Sequence, residues 1–204
     1  MQKKQDISVL QTNGSGVLSF SSPSSDFVRL DTVTVSGTPT TVSLDGYFSA
    51  TYKHYKIMWD KVGGGGSAYL SFRVNISGSA NTSSNYYGNH QYGSINSSGG
   101  TSIETYSAGW GATRFELDND CITGATVNRQ TGELTLFDPL NTTYSKSWSS
   151  QSQSFNSNLG YLWVNTGGGQ YISNYSALTG VTFLYNTGTT FLNDGEFRIY
   201  GIKG

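Results

Sequence analysis

The sequence predicts an all-β protein, an antiparallel β-sandwich of jelly-roll type. Three observations predict it. Apolar and polar residues alternate with a period of two in several short windows. No window carries apolar residues at helical spacing, and Gly, Asn and Ser punctuate a chain with 26 glycines and three prolines.

The elements follow in chain order. Residues 17–20, 27–35 and 40–44 read as short, rather polar strands, and Pro23 and Pro39 fall among them. Residues 1–45 are therefore expected as an arm or as edge strands, and residues 46–204 as the sandwich domain. Tyr55, Ile57 and Trp59 then alternate with Lys56, Met58 and Asp60. The clearest strand comes next: Ala68, Leu70, Phe72, Val74 and Ile76 share one parity, and Tyr69, Ser71, Arg73 and Asn75 the other. The run Gly63-Gly64-Gly65-Gly66 between these two strands predicts a hairpin with a flexible loop. Further strands are expected at 114–117, 122–127, 133–137, 161–165, 181–185 and 196–202. Residues 78–103 and 141–158 are long, polar and rich in Ser and Asn, and read as surface loops. Roughly ten short strands with Gly, Asn and Ser turns are what a sandwich requires, because two sheets packed together each bury one face.

Composition narrows the function. Ser, Thr, Asn and Gly account for 94 of the 204 residues, whereas Lys, Arg, Asp and Glu number only 25 and leave a net charge of −1. Abundant Tyr, Phe, Trp, Val and Ile separate the chain from disordered sequences. A pI near 6.1 supplies no cationic excess for nucleic acid. No apolar run approaches a membrane span, and the start resembles no leader, so a soluble, unprocessed protein without membrane insertion is expected. Cys121 is the only cysteine, which excludes an intrachain disulfide.

Catalytic constellations are absent from the pattern. His54 and His90 show no metal-ligand spacing, no Gly-x-Ser-x-Gly elbow occurs, and the glycine runs lack a strand-to-helix context for phosphate. Four glutamates, Glu104, Glu116, Glu133 and Glu196, offer few partners for a glycosidase pair. The expectation is a non-enzyme without cofactor. Glu116, Asp118 and Asp120 share a parity and are the weak candidates for a metal; a strand running into a turn, with Arg114 paired to Glu116, is the plainer reading. The remaining functional vocabulary is aromatic. Tyr86, Tyr87, His90, Tyr92, Trp110 and Trp148 lie among Ser, Asn and Gly, as in sugar-binding surfaces and protein interfaces.

The C-terminal segment carries a resemblance. Gly180 to Phe183, a polar turn, and then Gly195-Glu-Phe-Arg-Ile-Tyr-Gly-Ile-Lys203 resemble the ending of a group of small tailed-bacteriophage virion proteins. Tyr52-Lys-His-Tyr-Lys-Ile57, Ala68-Tyr-Leu-Ser-Phe-Arg-Val74 and Asn85-Tyr-Tyr87 are similar to earlier blocks of that group, so the resemblance covers roughly residues 44–203. It implies a β-sandwich component of a phage particle, made in the bacterial cytoplasm. Such a protein is either a head decoration or cement protein, or a tail or fibre component. Its partners would be other virion proteins and copies of itself, a homotrimer by analogy, and it brings no catalytic residues. The alternative is an adsorption module that recognises host surface glycans through the aromatic residues. In the closing strand, alternation alone directs Phe197 and Ile199 to one face and Arg198 and Tyr200 to the other, and Gly201 permits close approach.

Overall fold

In the computed structural model, described for residues 9–12, 14, 18–21, 25–66, 68–118, 129–156, 160–172 and 175–204, every regular element is a β-strand and every pairing is antiparallel. β1 (Val9–Thr12) and β2 (Leu18–Ser21) pair only with each other. An eight-stranded sheet runs, in spatial order, through β3 (Phe27–Thr34), β15 (Glu196–Ile202), β5 (His54–Val62), β11 (Gln130–Phe137), β12 (Lys146–Asn156), β13 (Tyr161–Tyr171), β8 (Tyr86–Asn96) and β9 (Thr101–Ala112). The second sheet runs β10 (Phe115–Glu116), β6 (Leu70–Ile76), β14 (Gly180–Tyr185) and β4 (Thr41–Asp45), with β7 (Ser79–Ala80) also paired to β6.

The two sheets face each other across an aromatic core, which makes the architecture a β-sandwich. Phe183 of β14 lies 4.5 Å from Phe197 of β15 and 6.0 Å from Trp59 of β5, and Phe72 of β6 meets Trp148 of β12 edge-on at 5.2 Å. Each of these rings is buried, and each contributes on the order of 2 to 3 kcal/mol by leaving water. The strand order establishes the sandwich; it does not establish the finer jelly-roll connectivity.

Alternation accounts for the strands that were legible. β5 is buried at Tyr55, Ile57 and Trp59, and β15 at Phe197, Ile199 and Gly201. β15 sits between β3 and β5, and a Cβ on Gly201 would stand 2.4 Å from the Tyr52 ring. β3 and β4, from the segment expected as an arm or edge strands, lie at the edges of the two sheets.

Two expectations are corrected. The glycine run does not close a hairpin, because β5 and β6 belong to different sheets. Each strand buries its apolar face against the other sheet, so the run carries the chain across the sandwich instead. Gly64 bridges to Phe191 there, and a Cβ on it would lie 3.0 Å from the Tyr185 ring. The polar stretches 78–103 and 141–158, expected as loops, supply all of β8 and β12 and the start of β9. Neighbours pair with these strands on both edges of β8 and β12, so ladder hydrogen bonds hold sequences whose side chains give little sign of a strand. The strand expected at 122–127 lies outside the described residues.

Candidate functional site

The six aromatic candidates do not form one surface. Tyr86, His90, Tyr92 and Trp148 point inward and are buried, whereas Tyr87 lies on the opposite parity of β8 and is half-buried. Trp110 pairs with Tyr87 through the backbone, but its side chain is outside the described residues. Tyr86 donates its hydroxyl proton to the Asn81 carbonyl at 2.9 Å and accepts from the Val74 amide at 3.0 Å, a bridge between the sheets. Burial pushes its ionisation well above the ordinary tyrosine range. Trp148 packs between Phe72 and Phe115. His90 is 1% exposed, lies 5.1 Å from the Tyr106 ring, and has its pKa pushed down to about 4 by burial, which the Glu116 main chain opposes only in part. Tyr92 donates to Glu104 at 2.5 Å and meets Trp163 edge-on. The rings of β8 belong to the interior because Tyr86, His90, Tyr92 and Ser94 share the inward parity of the strand, and that period was the available signal.

The acidic candidates are committed to other groups. Glu116 pairs with Arg114 at 3.3 Å, and the buried Asp118 accepts from the Leu70 amide at 2.8 Å and from the Gln130 side-chain amide. Asp120 lies outside the described residues. Among the described residues, no group of three His, Cys, Asp or Glu gathers where it could hold a metal ion.

What the fold does assemble is the outer face of the eight-stranded sheet, which sequence reasoning missed. Register places Thr32, Arg198, Met58, Glu133, Gln151, Thr166, Gln91 and Thr105 in one continuous row across all eight strands. The middle of this row opens into a trough of about 590 Å3, lined by outward side chains such as Met58, Asp60, Glu133, Gln151, Thr166 and Arg198. The ladder between β5 and β11 shifts register between Gln130 and Gly132 beside it, and such a bulge bends a sheet locally. Charges here are matched. Lys56 meets Glu133 at 2.9 Å, and Arg198 pairs with Glu196 and lies 3.7 Å from Asp60. The Gln153 amide donates to Thr131 at 3.0 Å, while Gln151 and Thr166 are exposed.

Beyond the trough, toward the far end of β12, β13, β8 and β9, the same face becomes apolar. Phe155, Leu162 and Ile95 stand side by side in one row, and Val164 and Ile103 flank Gly93 in the next. All five are exposed, Ile103 at 75% and Val164 at 51%. A shallow depression of about 270 Å3 lies among them.

No family model and no curated protein matches the chain. Two solved structures of infectious bursal disease virus, of the Gx and Gt strains, align to it at 14% and 13% identity with TM-scores of 0.13 and 0.14. They cover 98% and 100% of this chain and 46% and 49% of theirs, so the chain spans about half the length of the structures it matches. At these scores neither likeness bears on the fold or the role.

Proposed function

We propose that the chain is a structural protein of a bacteriophage virion that acts through contacts of its sheet surfaces with neighbouring subunits, copies of itself among them. The apolar end of the outer face carries this reading. Five exposed aliphatic and aromatic side chains on four adjacent strands form a surface that an isolated protein does not need and an assembly covers. None of the five is charged and the chain's net charge is −1, so identical copies approach without strong repulsion. Two such surfaces pressed together would remove on the order of 1,000 Å2 from water, near the lower bound for a specific interface.

The C-terminal resemblance directs the assembly to a phage particle, as a head decoration or cement protein or a tail component, and a trimer is the association that suits capsid threefold positions and fibre heads alike. The test has two parts. Mass spectrometry of gradient-purified particles is expected to find the protein at stoichiometric abundance. Sedimentation velocity of the purified chain is expected to show concentration-dependent association that Leu162→Glu abolishes. A chain absent from particles, and monomeric at every concentration, would contradict the reading.

A further inference from the structure

The trough on the outer face is a second surface, separate in chemistry from the apolar end. Its walls come from five neighbouring strands in order: Arg198 on β15, Met58 and Asp60 on β5, Thr131 and Glu133 on β11, Gln151 and Gln153 on β12, and Thr166 on β13. Strand positions hold such side chains more rigidly than loops do, and a volume of about 590 Å3 lies within the range of small-ligand clefts.

The chemistry of the lining selects the ligand. Arg198, the one cation among the described residues that line the trough, is shared by Glu196 and Asp60, and Glu133 is held by Lys56 just outside it. No spare positive charge remains for an anion, and the acidic groups already have partners. Gln151 and Thr166 are exposed, and present an amide that both donates and accepts and a hydroxyl that does the same. Met58 adds an apolar patch between Arg198 and Glu133. Donors and acceptors of both kinds around a small apolar floor, with every charge already in contact with an opposite one, suit a molecule dense in hydroxyls with C–H faces between them. A phosphate, uronate or ammonium ligand would instead need an unpaired counter-charge.

We infer that this trough is a binding site for an uncharged saccharide, two or three sugar units of a neutral surface polysaccharide. The inference does not rest on the assembly reading. It shares only Val164 with the apolar end, and that residue is left untouched in the test.

The test uses the full chain on an array of immobilised bacterial surface polysaccharides grouped as neutral, anionic (teichoic and uronic acids) and cationic (de-N-acetylated amino sugars). Saturable binding to at least one neutral polysaccharide is expected. The double substitution Gln151→Ala with Thr166→Val should weaken it at least tenfold, and Gln170→Ala, on the same face of β13 outside the trough, should leave it unchanged. Thr166→Arg, which fills the trough with a long side chain at an exposed position, should also abolish it, so the result does not depend on one variant folding. Retention of no neutral polysaccharide, retention of charged ones alone, or neutral binding indifferent to both trough variants would each overturn the inference. Sedimentation of the same variants separates the two readings, because trough substitutions should leave self-association as it is.

Discussion

Along β12 the inward positions read Lys146, Trp148, Ser150, Ser152 and Ser154, while the outward positions read Ser147, Ser149, Gln151, Gln153 and Phe155. At the end where the second sheet covers it, Trp148 packs inside against Phe72 and Phe115 and the outward residues are polar. At the far end the polarity inverts. Ser152, Ser154, Asn165 and Ser94 lie buried on the inner face, while Phe155, Leu162, Val164, Ile95 and Ile103 stand exposed on the outer one. The inner groups are incompletely matched: the amide of Asn165, the hydroxyl of Ser154 and the indole nitrogen of Trp163 have no hydrogen-bond partner among the described residues. The same strands thus serve two purposes. One end packs aromatic rings against the second sheet, and the other buries serines and Asn165 beside Tyr92 and Trp163 while it presents an apolar surface outward.

The sharpest way to break this contrast is to truncate a ring at the covered end. Phe72→Ala, which removes contacts with Phe115, Trp148 and Phe183, is expected to cost about 3 to 5 kcal/mol in urea unfolding. A loss below about 1 kcal/mol would show that this end is not the stabilising one.

The boundary between the two ends is tested by pH, since His90 lies there. Its folded pKa of about 4 stands below the ordinary histidine value of 6.5 because burial disfavours the cation. Between these values the unfolded chain binds the extra proton, so the stability from neutral His90 is present above pH 6.5 and is lost as the pH falls toward 4. The loss is about 3 kcal/mol by pH 4. Unfolding midpoints measured from pH 7.5 to 4 should fall more steeply for the native chain than for His90→Phe; parallel curves would remove His90 from the account.

Close backbone approach gives a smaller effect at the covered end. Gly201→Ala would drive a Cβ to 2.4 Å from Tyr52, and thermal unfolding should report a loss of about 1 to 3 kcal/mol. The smallest effect on stability belongs to the apolar end. Ile103→Ser, at a 75% exposed position, should change unfolding free energy by no more than about 0.5 kcal/mol. It should nevertheless weaken self-association measurably by sedimentation, and a substitution that did the reverse would place Ile103 in the core's service instead.

Legibility in the sequence followed packing regime. β5, β6, β14 and β15 were readable because each carries Phe, Trp, Ile, Leu or Val at alternate positions against the opposite sheet. β8 and β12 were not, since Ser, Asn, Gln and Gly dominate them and their strand character comes from the ladders on either side. The aromatic residues among those polar ones looked like a surface for the same reason. Without the strand's period, nothing distinguished the buried Tyr86 and Trp148 from a binding platform.

By itself, then, the sequence determined that the protein is all-β, lightly charged and without an intrachain disulfide, because composition and period-two alternation are local properties. It also determined the facing of the closing strand, where Phe197 and Ile199 are buried and Arg198 and Tyr200 turn outward. Only the tertiary structure decided which strands share a sheet, that the glycine run crosses between sheets, and that Arg198, Met58, Glu133, Gln151 and Thr166 form one row. Those residues lie on five strands separated by up to more than a hundred positions in the chain. Their meeting is a consequence of cross-strand register, which is set by the whole set of pairings and is written in no single segment.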